Sequence, residues 1–264
     1  MLMEVKKEFK MYFLSIKYSI MKELLNKVTF VSNVLFMILN NASFIIEWII
    51  LFSLKDNIGG YDLKMVLILW GLASSTFGFS RFFFKNAFYL SETINDGKLD
   101  SYLVLPKNVL LSAITSSVDV SALGDMIYGY IMLLLYGISI KLFCVFTLYM
   151  ITGGVILTSL SVILSSLSFW FGKTETITDM GNSLMINFAT YPDSIFKGLS
   201  KILLYTVVPV GFSVYLPIKT LIKFNLCYFV IIILFTIFIV SLAFVIFNKG
   251  LKKYSSSNLM IARI

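Results

Sequence analysis

Apolar residues gather along the chain into six runs of membrane length, roughly 28–52, 63–83, 117–140, 142–170, 176–196 and 225–247, with short polar segments between them. A helix rises about 1.5 Å per residue, so about 20 apolar residues cross a hydrocarbon core of about 30 Å. The pattern therefore predicts an all-α, polytopic membrane protein with six transmembrane helices. The fifth run is the most polar: it carries Thr176, Thr178, Asp179, Asn182, Ser183 and Asn187, and should face protein or water rather than lipid. Ahead of the first run, Val5, Phe9, Phe13, Ile16, Ile20 and Leu24 recur at steps of four or three, while Lys6, Lys7, Lys10 and Lys17 fall elsewhere. That spacing predicts an amphipathic helix over 1–27, lying on an anionic membrane surface or packed on a protein partner.

Two of the intervening segments depart from an ordinary loop. Residues 191–224 are too apolar for one and are punctuated by Pro192, Pro209 and Pro217. Proline removes a backbone donor and clashes with the preceding turn, so the segment predicts two short helices dipping back into the outer leaflet, a re-entrant hairpin. A seventh, kinked span is the alternative. The other segment, within the loop 84–108, is the polar island SETINDGKLDSYLVLPKN from Ser91 to Asn108. Its charges, glycine turn and proline stop predict a short helix outside the bilayer, at which something soluble docks.

Composition strengthens the membrane reading: of 264 residues, 58% are hydrophobic and only 14% charged, and mean hydropathy is +0.90. The N-terminus has no small-residue cleavage site after a short apolar core, so a removable signal peptide is not expected. A net charge of +8 would suggest nucleic acid for a soluble protein. Here the basic residues sit between apolar runs, and their placement sets orientation instead. With a cytoplasmic N-terminus, 15 of the 22 Lys and Arg residues fall on the inner side and 7 on the outer. The positive-inside rule then places both termini, and the island, in the cytoplasm.

Candidate chemistry is sparse. There is no histidine, which excludes imidazole catalysis, and Cys144 and Cys227 lie in apolar runs without neighbouring ligands, which argues against a disulfide framework or metal site. Gly172-Lys173-Thr174 ends like a phosphate-binding loop, but that motif needs a glycine at 167, where the chain has Leu167. Glu47, Asp119, Asp125 and Asp179 are acids in or near spans. Asp119 and Asp125 are six residues apart, about 240° around a helix, so they do not form a carboxylate pair on one face. A proton relay is therefore not indicated. Gly154, Thr158, Ser161, Ser165 and Ser168 form a narrow seam of small side chains at which a helix can approach closely, within the subunit or across a dimer. Gly71, Ser75 and Gly78 provide a similar surface on the second run.

At the island the pattern becomes more specific: an acid-containing helix, then Gly97-Lys98-Leu99-Asp100, Tyr102-Leu103, Pro106 and Asn108. Together with Asp119 and Ala122-Leu123-Gly124-Asp125 at the third span, Tyr191-Pro192, Pro209 and Tyr215-Leu216-Pro217 in the outer segment, and the closing Gly250-Leu251-Lys252-Lys253-Tyr254-Ser255-Ser256, it resembles membrane subunits of type 2 ATP-binding-cassette (ABC) exporters, in the bacterial antibiotic and multidrug permease branch. The resemblance implies a six-helix half-transporter in the bacterial plasma membrane, moving hydrophobic or amphipathic cargo outward by alternating access. ATP would be bound by a separate soluble ATPase, with no cofactor in this chain. It further implies a second permease subunit, identical or paralogous, and a coupling helix in which Glu92, Asp96, Gly97, Lys98 and Asp100 meet the ATPase. Ser75, Phe79, Asn182 and Asn187 are taken as markers of the pathway. An ion-coupled secondary transporter and a non-transporting membrane scaffold are the competing readings; the first would need convergent intramembrane charges, which the dispersed acids do not supply.

Overall fold

The computed structural model describes residues 12–255, except Ser15, Ser19, Glu23 and Ile138. Residues 1–11 of the expected amphipathic helix and the tail from Ser256 lie outside the described residues. Among the described residues the regular structure is helical, apart from an isolated bridge between Ile58 and Tyr61. The chain is thus an all-α polytopic membrane protein.

In chain order the helices are α1 (Lys27–Leu54), α2 (Leu63–Phe84), α3 (Leu90–Asn95), α4 (Asp100–Leu103), α5 (Val109–Ile114), α6 (Leu123–Tyr136), α7 (Ile140–Ser166), α8 (Ser168–Phe171), α9 (Glu175–Ala189), α10 (Leu199–Thr206), α11 (Leu216–Ile222) and α12 (Leu226–Leu251). Among the described residues four stretches are long and apolar enough to cross a membrane: Lys27–Leu54, Leu63–Asn95, Ile140–Phe171 and Leu226–Leu251. The third and fifth runs are shorter than their hydropathy suggests. The apolar helical stretch Val120–Tyr136 reaches about 25 Å and α9 about 22 Å, at 1.5 Å per residue. In the proline-rich segment, Leu199–Thr206 and Gly211–Ile222 meet at 78°, with Pro209 in the break.

Local sequence explains where the helices start. Asn26, Asp62, Asn108, Ser139 and Asn225 each turn a side-chain oxygen onto a backbone N–H of the first helical turn. Such caps satisfy donors that the helix itself leaves unpaired.

The core is built on α2, which α6 and α7 cover. A Cβ added at Gly129 of α6 would stand 2.5 Å from the Gly71 carbonyl oxygen of α2. The two backbones are therefore in contact, as small-residue seams permit. At one end of the bundle α2 runs into the island. At the other, Tyr61 just before α2 meets the turn at Asp193. Tyr12, Ile16 and Ile20 pack at the island end, where Ile16 is buried with Phe82, Val118, Val120 and Ala122, and the Tyr12 hydroxyl donates to the Phe83 carbonyl at 3.1 Å.

Candidate functional site

The island is amphipathic in a way that orients its charges. Leu90, Ile94 and Leu99 are buried in the main core, and Ser91 and Thr93 are buried beside them. Glu92, Asp96 and Lys98 are left exposed on the other side. Between α3 and α4 the chain reverses at Gly97, whose φ of 72° lies in the left-handed region that side chains other than glycine adopt only with strain. Lys98 pairs with Asp96 at 2.8 Å across this turn, and the hydrogen bond to that carboxylate holds the ammonium's pKa up. Asp100 is placed differently. It is half-buried and accepts a hydrogen bond from the Tyr254 hydroxyl at 3.0 Å, which ties the island to the end of α12. Burial, and then that carboxylate, push the Tyr254 pKa up to about 12.

A cluster of hydroxyls fastens the inward face of the island. Ser91 Oγ lies 2.6 Å from Ser168 Oγ and 3.3 Å from Thr174 Oγ1, and the latter two are 2.6 Å apart. Asn95 donates through Nδ2 to Glu175 Oε1 at 3.0 Å. From the sequence, Ser168 belongs to the seam on the fourth run, Thr174 to the loop-like Gly172-Lys173-Thr174, and Ser91 and Asn95 to the island, with nothing to bring the three places together. The signal available was the polar spacing SETIN at i and i+4, which places Ser91 and Asn95 on one helical face.

Helix α9 divides cleanly between two faces. Thr178, Asn182, Met185 and Ala189 are buried against the bundle, whereas Thr176, Asp179, Ser183 and Asn187 form an exposed polar stripe, with Ile177 and Met180 exposed beside it. The buried face meets the small-residue seam of α7: Ser161 donates to Asn182 Oδ1 at 2.7 Å, and the Ser165 and Thr178 hydroxyls are 3.3 Å apart. Further along α7, Thr158 bonds Ser80 of α2 at 2.7 Å, and a Cβ at Gly154 would stand 2.5 Å from the Phe79 ring. Gly154, Thr158, Ser161 and Ser165 therefore contact helices of the same chain, as Ser168 does at the island. Of the four pathway markers, Asn187 lies on the exposed stripe. Ser75 is buried against Gly129, Asn182 faces α7, and Phe79 sits among Phe83, Phe84 and Gly154.

The acids of the spans occupy separate environments. Asp125 is buried, accepts from Asn41 Nδ2 at 2.6 Å through one carboxyl oxygen, and leaves the other without a partner; Ser74 bridges Asn41 Oδ1 and the Asp125 carbonyl at 3.2 Å each. This cluster joins α1, α2 and α6. Asp119 lies 3.6 Å from Arg81, whose guanidinium also stands over the Phe88 ring at 5.1 Å. Glu47 and Asp179 are exposed. Among the described residues, no group of three potential ligands is gathered that could hold a metal ion.

Away from the island, a buried acid closes the bundle. Asp193 accepts from the Tyr61 hydroxyl at 2.9 Å and from Lys219 Nζ at 2.5 Å, which links the α1–α2 loop, the turn after α9 and helix α11. Tyr215 adds a bond to the Phe188 carbonyl at 2.7 Å.

Residues 37–258 match the family model described as ABC-2 family transporter protein. No curated protein and no solved structure shows significant similarity to the chain.

Proposed function

The chain belongs to the ABC-2 transporter family, a family of membrane permease subunits that work with an ATPase partner in dimeric arrangements, and from that premise we propose that it forms half of an ATP-driven export pathway. The observation that carries this reading is the exposed polar set Thr176, Asp179, Ser183 and Asn187 along α9, which the reading takes as a span. Exposure to lipid would cost roughly 2.5–3.5 kcal/mol for Asp179 alone on insertion scales. A second permease subunit across a water-filled pathway removes that cost. The reading takes α1, α2, the stretch ending in α6, α7, α9 and α12 as six spans, with α10 and α11 as a re-entrant hairpin on the outer side.

The excess of basic residues at the island end supports a cytoplasmic island and cytoplasmic termini, in a bacterial plasma membrane. There the exposed Glu92, Asp96 and Lys98 would meet the soluble ATPase, with Gly97 shaping the turn and Asp100 holding the tail. ATP binding and hydrolysis belong to that partner, and the cargo is hydrophobic or amphipathic, drug, peptide or lipid-like. The scattered intramembrane acids favour this mechanism over ion coupling.

Reversing charge with Glu92→Lys and Asp96→Lys should uncouple ATP hydrolysis from transport while the membrane domain stays folded. Transport at the reference rate in the double variant, with the ATPase still bound, would refute the coupling role.

A further inference from the structure

Motion of the island could reach α9 only through whatever joins the two, and the covalent route is some 80 residues long, from Asn95 to Glu175. The direct route is short. Ser91, 1% exposed on the inward face of α3, accepts the Thr174 backbone N–H at 3.3 Å as well as meeting the Ser168 and Thr174 hydroxyls. One helical turn later, Asn95 holds the Glu175 carboxylate. Thr174 immediately precedes α9 and Glu175 is its first residue, so α3 grips the start of that helix.

A second observation concerns the covalent link into α9. Helix α8 ends at Phe171, and the link to α9 passes through Gly172, at φ 76° with open space around it, and the exposed Lys173. Helical stiffness therefore stops before α9 begins. Its first turn is positioned from the side, by side chains of α3 and α8 and by α7, where Ser165 meets Thr178 and the Leu164 carbonyl accepts from Thr174.

We infer that Ser91, Asn95, Ser168, Thr174 and Glu175 form a rigid joint that carries displacement of α3 directly into α9. The five are positioning residues. This rests on the reading of α3 as the ATPase contact and α9 as pathway lining, and adds the connection between them. A buried, mutually bonded hydroxyl cluster suits such a load, because opening it strands buried polar groups.

The test uses the full complex with its co-expressed ATPase in lipid nanodiscs, in a Cys144→Ala, Cys227→Ala background with Ser183→Cys as reporter. Labelling of the reporter by a membrane-impermeant maleimide is compared without nucleotide and with ATP plus vanadate. The reference complex should show a change of about fivefold or more, the lower range of ordinary coupling between sites. Thr174→Val should bring that ratio close to one while ATPase co-purification and ATP hydrolysis persist; Thr174→Ser, which keeps the hydroxyl, should restore it. A disulfide formed by oxidation in Ser91→Cys with Thr174→Cys should preserve the response, because the joint does not open. An undiminished ratio in Thr174→Val, or a response abolished by the disulfide, would overturn the inference. Glu92→Lys with Asp96→Lys separates the two levels. If that pair leaves the response unchanged, the coupling reading itself fails; if it abolishes the response while Thr174→Val does not, only the joint fails.

Discussion

Replacing Gly129 by alanine tests the packing on which the fold rests. The added Cβ would stand 2.5 Å from the Gly71 carbonyl oxygen and 2.5 Å from Ser75 Cβ. Neither neighbour can rotate away, so α2 and α6 must separate by about 1 Å, which forfeits a quarter to a half of each contact worth roughly 0.1–0.2 kcal/mol. Over about 40 atom pairs, the number a buried leucine makes, the loss is about 2 kcal/mol, within the usual range for overpacking. Alanine's better helix propensity returns about 1 kcal/mol, leaving a net destabilisation of about 1 kcal/mol. Gly181→Ala is the control. There the new Cβ meets only Leu164 Cδ1, at 2.3 Å, the far end of a side chain that can swing aside. The propensity gain then survives, and the variant should be neutral or slightly more stable. Thermal unfolding in detergent at one heating rate, followed by size-exclusion fluorescence, should place Gly129→Ala about 2–4 °C below the reference and Gly181→Ala at or above it. Equal midpoints, or the reverse order, would refute the backbone contact.

Other outcomes follow from the polar clusters. Asp125→Asn keeps an oxygen for the Asn41 amide and should leave the unfolding midpoint nearly unchanged, whereas Asp125→Ala, which leaves that amide only its Met37 acceptor and one buried N–H unpaired, should cost about 1–3 kcal/mol. Lys219→Met leaves the Asp193 carboxylate with Tyr61 as its remaining described donor and should destabilise by about 1–3 kcal/mol; adding Asp193→Asn should recover most of the loss. Because the Tyr254 pKa is raised to about 12, the folded chain holds the phenolic proton more tightly than the unfolded one. The contact's contribution is then complete below about pH 10 and lost as pH rises towards 12. The protection of the α4 amides relative to their intrinsic, base-catalysed exchange should fall over that window, and Tyr254→Phe should remove that fall.

Much of this architecture was legible in the sequence, because lipid forces long apolar runs into helices. Runs one, two, four and six appear as long helices within a few residues of their expected limits. The third and fifth proved shorter: α6 begins only after a 3-10 turn at Val120–Ala122, and α9 stops at Ala189 before Pro192. Hydropathy counts apolar residues without registering where the backbone leaves the helix. The island was recognisable from its punctuation, yet the charges there did not reveal that Asp100 is engaged by Tyr254, which lies 154 positions away. The polar residues of the fifth run were all visible; the helical period separates the buried Thr178 and Asn182 from the exposed Thr176, Asp179, Ser183 and Asn187. Ser75 and Asn182 illustrate the limit of composition, since a polar side chain in a span serves a neighbouring helix as readily as a pathway.

The island's contact with the ATPase is tested most directly by site-specific photocrosslinking. A benzophenone amino acid in place of Asp96, and a second one in place of Ile202 near the bend of the α10–α11 segment, would be activated in the complex with the co-expressed ATPase. A crosslink from position 96 to the ATPase, and none from position 202, is the expected result. Crosslinking to the ATPase from position 202 alone would contradict both the coupling role of the island and the orientation of the chain.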